Sequence, residues 1–200
     1  MLKAHKFDTI VMNLSRDVKI AGPSAKKAGI KRIIYRRGSA IPIKDSFLNR
    51  YYFKNVLTEV LANSMATKKT VLDNYTSLIA DEKITVIYYG IKTDTIVEAQ
   101  KPNKVFTLLN LGRLEYQKNQ KFLVKLAAEL KKRRLPFKML IGGEGSLKKE
   151  LNDLIKQLQV DNEVELVGFI EKPLQLISQA DVFLLSSLWE GFGYVLAEAA

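Results

Sequence analysis

The chain contains no cysteine and a single histidine, His5. Without cysteine there is no disulfide and no thiolate-ligated zinc or iron-sulfur site. One histidine near the terminus argues against a His-built metal centre or a Ser/His/Asp triad within this chain. No run of about 18 apolar residues occurs, and no apolar core follows the basic N-terminus, so neither a membrane span nor an export signal is expected. The cytoplasm is the default compartment. Chemistry has to come from carboxylates, basic side chains and the backbone.

What is present suits one large or two small domains with real cores: 200 residues, 47% hydrophobic and 26% charged. Thirty-two Lys and Arg against 21 Asp and Glu leave a net charge of +11, which favours an anionic partner through long-range attraction. Nucleic acid, a phosphorylated small molecule and an anionic membrane surface all qualify. The bases are spread over several helices, with no zinc-finger, RRM or helix-turn-helix signature and no interleaved aromatic platform, so no nucleic-acid partner is expected. Individual clusters also fit plain solvated helix faces.

Short β-branched or apolar runs alternate with longer amphipathic stretches. Strands are predicted at Phe7 to Asn13, Lys31 to Arg37, 57–63 (LTEVLAN) and 83–89 (KITVIYY), with helices at Asp17 to Ala28, Ser46 to Lys54 and Ala66 to Leu78. Residues 98–104 (EAQKPNK) are polar and contain proline, which marks a linker. The alternation resumes with strands at 105–112, 137–143, 163–169 and 181–187. Between them come helices at Asn119 to Arg133, Ser146 to Gln159 and Pro173 to Ser178, and another begins at Tyr194. In the long helix Phe122, Leu126 and Leu130 recur every four residues and predict the stripe that packs on the sheet. The expected class is α/β, with two Rossmann-like parallel-sheet domains at 1–97 and 105–200, and with ligands at the carboxyl ends of the strands.

Unusual residues collect at those ends. Gly112 follows the first strand of the second block, and Arg113 and Lys118 precede its helix. A glycine there admits close backbone approach and the two cations can reach one phosphate group, although an ordinary βα turn with exposed bases fits the same spacing. Residues 141–146 (IGGEGS) form a second glycine-rich exit that completes neither a Walker nor a GxGxxG pattern. After the last strand, Gly191 and Gly193 permit a tight turn into a helix whose first amides would face an anion. A diphosphate fits there, opposite Arg113 and Lys118. Glu190 before the turn and Glu198 inside the helix would then accept hydrogen bonds from hydroxyls on opposite sides of it. An early acid that merely complements the helix dipole is the plainer reading.

The combination NLGRLEYQKN, IGGEGSLKKEL, VELVGF and ADVFLLSSLWEGFGYVLAEA, with EVLANSMATKKTVL and KITVIYYGI before it, resembles the retaining nucleotide-sugar glycosyltransferases of family 4, of the GT-B fold. The most specific mark is a glutamate followed by seven residues and a second glutamate. The resemblance implies a hexosyltransferase-type enzyme that moves a sugar from a nucleotide-diphosphate donor to a glycan or lipid-linked acceptor with retained configuration. It implies no metal and no cofactor, a UDP, GDP or ADP donor, and contact with the inner face of an anionic membrane. Arg113 and Lys118 match the family's diphosphate-binding pair, Glu190 its glutamate near the transferred sugar and Glu198 the one on the ribose. Gly191, Phe192 and Gly193 match the turn beside sugar and phosphate. Gly168 and Phe169 lie where the nucleobase is held, and Gly143 and Glu144 match the glycine-rich loop near the base.

Two positions depart from the family's pattern. Arg37 precedes Gly38 where the family commonly has histidine, and Tyr89 stands where asparagine is common. Members also run to about twice this length, beyond the usual span of one domain. The second block ends inside a helix. Both domains are therefore expected to be incomplete and the chain an internal fragment, which leaves a noncatalytic nucleotide-binding remnant as the alternative to an active enzyme.

Overall fold

The computed structural model describes residues 7–72, 78–91 and 105–200. It divides into two compact units, Met1–Gly90 with Glu190–Phe192, and Ile91–Trp189 with Gly193–Ala200. The expected linker at 98–104 lies outside the described residues, as do 92–97 at the end of the expected first domain.

In the first unit the order is β1 (Thr9–Met12), α1 (Ser15–Lys27), β2 (Arg32–Arg37), α2 (Phe47–Tyr51), β3 (Glu59–Ala62), α3 (Met65–Leu72) and β4 (Ile84–Val86). The four strands pair in parallel in the order β1-β2-β3-β4. Parallel neighbours need a crossover between them, and α1, α2 and α3 supply it. The Asp17 carboxylate accepts from the Leu14 N–H at 3.0 Å and fixes the start of α1. Met12, Ile33, Tyr35, Val60 and Ile84 from the strands bury against Val18, Ala25, Phe53 and Val56. The helix expected over 46–54 instead turns at Tyr52 into a π-helical segment, Tyr52–Val56, which brings both Phe53 and Val56 into the core. The helix expected to reach Leu78 is described only to Leu72, since 73–77 lie outside the described residues.

The second unit runs β5 (Thr107–Leu111), α4 (Gln120–Lys132), β6 (Lys138–Gly142), α5 (Lys148–Gln157), β7 (Val164–Gly168), α6 (Pro173–Ile177), β8 (Val182–Phe183) and α7 (Tyr194–Ala199). Its sheet is also parallel, in the order β7-β6-β5-β8. All five residues of β5 are buried, as expected of a strand with neighbours on both sides and helices over it. Leu109, Leu123, Met139, Ile141 and Leu151 are fully buried, each contributing about 1.5–3 kcal/mol.

The stripe expected on α4 is corrected by one step around the helix. Phe122 is 55% exposed, and the buried face is Gln120, Leu123, Val124 and Ala127, with Leu126 and Leu130 only partly covered. Spacing by four alone drifts around a 3.6-residue turn, whereas the mixed three-and-four spacing of 120, 123, 124 and 127 stays on one side.

Strand order decides where a ligand site can form. The chain steps outward from β5 to β6 to β7 and then returns to place β8 on the other side of β5. The loops leaving β5 and β8 therefore diverge at a topological switch point, where open parallel sheets hold their ligands.

Candidate functional site

The exits of β5, β6 and β7 are tied to one another beyond the strand ladders. The Gly112 N–H donates to the Gly142 carbonyl at 2.9 Å, the Gly143 N–H to Gly168 at 2.7 Å, and the Leu114 N–H to Glu144 at 2.9 Å. Gly143 has φ +136, and a Cβ there would lie 2.8 Å from the Gly112 carbonyl carbon, so only glycine lets the two loops touch. Both oxygens of Glu115 accept from Ser146, its hydroxyl at 2.9 Å and its N–H at 3.0 Å. The Ser146 backbone and side-chain hydrogen bonds, helped by the Arg113 charge, hold the Glu115 carboxyl below the usual carboxylate range.

These ties frame a cleft of about 290 Å³ lined by Gly112, Arg113, Gly143, Glu144, Phe169 and Pro173, among others. Five of the residues expected to bind a donor thus share one opening at the strand ends. Gly168 borders it: a Cβ on Gly168 would lie 3.3 Å from Glu144 Oε1. Phe169 is 78% exposed, an aromatic face with no protein cover over most of its surface. Glu144 pairs with Lys148 at 2.9 Å, one helical turn away. The Lys118 stem lies over Gly112, where an added Cβ would stand 3.4 Å from Cδ and Cε. Arg113 and Lys118 therefore flank the same glycine, and small backbone, two cations and an exposed ring together suit a flat base joined to an anion.

The switch point is held by four side chains that are not among the expected site residues. Gln120 is fully buried and donates from Nε2 to the Arg113 carbonyl at 3.0 Å. Gln117 Nε2 donates to the Trp189 carbonyl and the Leu188 N–H to the Gln117 carbonyl, both at 2.8 Å. The Ser186 hydroxyl donates to the Lys118 carbonyl and Asn110 Nδ2 to the Leu184 carbonyl, again at 2.8 Å. Two of these holders had a signal in the sequence. Gln120 sits on the apolar face of α4, and Asn110 interrupts an apolar strand; a polar residue at a core position is there for a hydrogen bond.

The remaining expected residues fall in two places. Gly193, with φ 73, precedes α7 in the second unit, and its carbonyl accepts from the Leu196 N–H at 2.8 Å. Glu198 lies on α7, partly buried. Glu190, Gly191 and Phe192 group with the first unit, where the Phe192 ring meets Tyr89 edge-on at 5.5 Å. Tyr89 in turn lies under the Arg36 guanidinium, 5.0 Å from the ring centre. Arg37, where a histidine is common, is buried and donates to the Ile41 carbonyl, closing its own loop. Among the described residues no three His, Cys, Asp or Glu side chains come together as a metal site.

Residues 92–200 match the family Glycosyl transferases group 1. The uncharacterized glycosyltransferase MJ1059 of Methanocaldococcus jannaschii is 30% identical over 156 residues, covering 74% of this chain and 38% of that protein. The N-acetylgalactosamine-N,N'-diacetylbacillosaminyl-diphospho-undecaprenol 4-alpha-N-acetylgalactosaminyltransferase of Campylobacter jejuni is 32% identical over 143 residues, covering 70% of this chain and 38% of that protein. The chain thus spans 38% of the length of each of these relatives. Among solved structures, Anabaena HepE in complex with UDP and glucose superposes with a TM-score of 0.77 at 21% identity, over 98% of this chain and 57% of that one. With more than half its residues inside the family match and two parallel-sheet units of the GT-B kind, the chain belongs to the group 1 glycosyl transferases.

Proposed function

We propose that the protein transfers a sugar from a nucleoside-diphosphate donor to a glycan or lipid-linked acceptor, with retained configuration and without a metal or other cofactor. The observation that carries this reading is the cleft at the β5, β6 and β7 exits, where Arg113 and Lys118 flank Gly112 and the Gly143 loop lies against it. When the bond from the anomeric carbon to the diphosphate breaks, its electron pair goes to the phosphate oxygen. The two cations stabilise that charge, the task a metal ion performs elsewhere. Gly168 and Phe169 hold the base, with Gly143 and Glu144 beside it. Glu198 accepts from the ribose hydroxyls, and Glu190 faces the sugar as positive charge develops in an oxocarbenium-like transition state. The amides of Gly191, Phe192 and Gly193 serve sugar and phosphate.

Support for the ligand class comes from the relatives. HepE was solved with UDP and glucose, and the Campylobacter jejuni relative is named for transfer onto a diphospho-undecaprenol-linked acceptor. The net charge of +11 suits a protein that works on such acceptors at the cytoplasmic face of an anionic membrane. Among the described residues no helix is long and apolar enough to cross one. Titration calorimetry with UDP, GDP and ADP, each with and without EDTA, tests the donor site. At least one diphosphate is expected to bind with an affinity that EDTA leaves unchanged, and a folded chain that binds none of them overturns the reading.

A further inference from the structure

Three supports within the first unit hold the segment Glu190–Phe192. The Ser64 hydroxyl lies 2.5 Å from the Gly191 carbonyl oxygen. The Gly191 backbone rests so closely on Gly38 that a Cβ would fall 2.8 Å from the Gly38 carbonyl carbon and 2.9 Å from Asn63 Nδ2. The Phe192 ring closes against Tyr89 at 5.5 Å and Tyr88 at 6.4 Å.

The polar group beneath this segment is a buried set whose protons can be followed. Asn63, Ser64 and Thr67 are 3%, 8% and 0% exposed. The Thr67 N–H donates to Ser64 Oγ at 3.1 Å, so Ser64 caps α3 as an acceptor. The Thr67 hydroxyl gives its proton to Asn63 Oδ1 at 2.8 Å, and Asn63 Nδ2 donates to the Gly38 carbonyl at 3.3 Å. Ser64 then has one proton and two acceptors in reach, the Thr67 hydroxyl at 3.1 Å and the Gly191 carbonyl at 2.5 Å. The nearer carbonyl is the better acceptor and takes it. Capping needs only an acceptor, which Asp or Asn would also supply; a short side chain that both accepts from Thr67 and donates onward is a more demanding requirement.

We propose that Ser64 is a positioning residue for Glu190: its hydroxyl anchors the Gly191 carbonyl and so fixes the backbone immediately after the glutamate. This rests on the reading of Glu190 as the carboxylate that faces the transferred sugar. An anchor for that backbone matters because a misplacement of about 1 Å costs about a hundredfold in rate. Binding of the nucleotide, which uses Arg113, Lys118 and the β5 to β7 exits, does not depend on it.

Three substitutions separate the anchor from the cap. Ser64→Thr keeps donor and acceptor, Ser64→Gly removes the hydroxyl at a position where glycine caps almost as well, and Ser64→Ala removes both functions. Amide hydrogen exchange over residues 190–193 reads the anchor directly. It is expected to rise about fivefold or more in the Gly and Ala variants and to stay near wild type in Ser64→Thr, while residues 65–72 stay protected in Ser64→Gly. With UDP-glucose as probe, kcat should fall about tenfold or more in Ser64→Gly with KM and UDP affinity within about twofold, and Ser64→Thr should restore it. Unchanged exchange at 190–193 in both the Gly and Ala variants overturns the proposal. So does raised exchange with unchanged kcat. If Glu190→Gln turns over UDP-glucose like wild type, the reading of Glu190 has failed instead; in that case, and equally if UDP-glucose is not this chain's donor, exchange alone decides whether Ser64 holds the segment.

Discussion

Glu115 and Ser146 join the loops that leave β5 and β6: one carboxylate accepts hydrogen bonds from both the hydroxyl, at 2.9 Å, and the N–H, at 3.0 Å, of one serine. Glu115 leaves β5 beside Arg113, and Ser146 precedes α5, so the pair spans the two loops that frame the cleft.

The first prediction concerns the pH dependence of that tie. The Ser146 hydrogen bonds lower the carboxyl's affinity for protons in the folded state. Its contribution is therefore fully present above the usual carboxylate range and is lost as pH falls through the lower folded value. Glu115→Gln keeps one acceptor for the Ser146 N–H but presents an amide nitrogen to the hydroxyl, which must turn and accept, and both hydrogen bonds lose the carboxylate charge. The thermal midpoint of the variant should fall below wild type at pH 7, and the gap should close towards pH 3. A gap that stays constant over that range would remove the tie from the stability of the second unit.

Charge at Gly112 is the subject of the second. Arg113→Ala and Lys118→Ala should each weaken binding of the preferred nucleoside diphosphate by about 1.5–3 kcal/mol, the range for hydrogen bonds to charged groups. The matching nucleoside should lose much less. Equal losses for nucleoside and diphosphate in calorimetry would show that neither side chain is a phosphate ligand.

All eight described strands are legible as apolar or β-branched runs; β5 is buried along its whole length, and the partly exposed β1 and β4 still carry enough β-branched residues to stand out. Their limits are less so. The run at 181–187 pairs only at Val182–Phe183: Leu184 still bonds β5, its N–H donating to the Leu109 carbonyl and its carbonyl accepting from Asn110 Nδ2, and by Ser186 the chain has turned to the loop after β5. Sheet order, and with it the switch point, depends on which strands pair and leaves no local trace. The glycines, Arg113 and Lys118 can be read from residue type because approach and charge are properties of single residues. Gln117, Ser186 and Ser64 cannot: each serves a main-chain carbonyl far away in sequence, 127 positions for Ser64 and Gly191, and any polar side chain of suitable length looks the same beforehand.

A third prediction uses two glycines that both require positive φ. At Gly29, with φ +81, an added Cβ meets nothing within 4 Å, whereas at Gly143 it runs into the Gly112 carbonyl. Gly29→Ala should cost only the backbone strain, about 1–2 kcal/mol. Gly143→Ala carries comparable strain and forces the β5 and β6 exits apart as well. It should lower stability further and abolish diphosphate binding, while Gly29→Ala binds normally. Normal binding by a folded Gly143→Ala protein would mean that contact between these loops does not shape the donor site.

The last prediction separates the two glutamates by what each is proposed to touch. Glu198, set against the ribose, meets the same hydroxyls in the nucleotide, the nucleotide sugar and the transition state. Glu198→Gln should therefore weaken nucleotide and nucleotide-sugar binding alike, and only modestly, because the amide keeps one acceptor oxygen. Glu190, set against the sugar, gains in the transition state, when positive charge develops at the anomeric carbon. Glu190→Gln should lower kcat while leaving nucleotide affinity nearly unchanged, the mark of an interaction stronger in the transition state than in the ground state. Calorimetry with the bare diphosphate and steady-state rates with the nucleotide sugar read the two effects separately. If both variants lose nucleotide affinity equally, the two carboxylates do not divide the donor between them, and Glu190 holds the nucleotide rather than facing the reacting carbon.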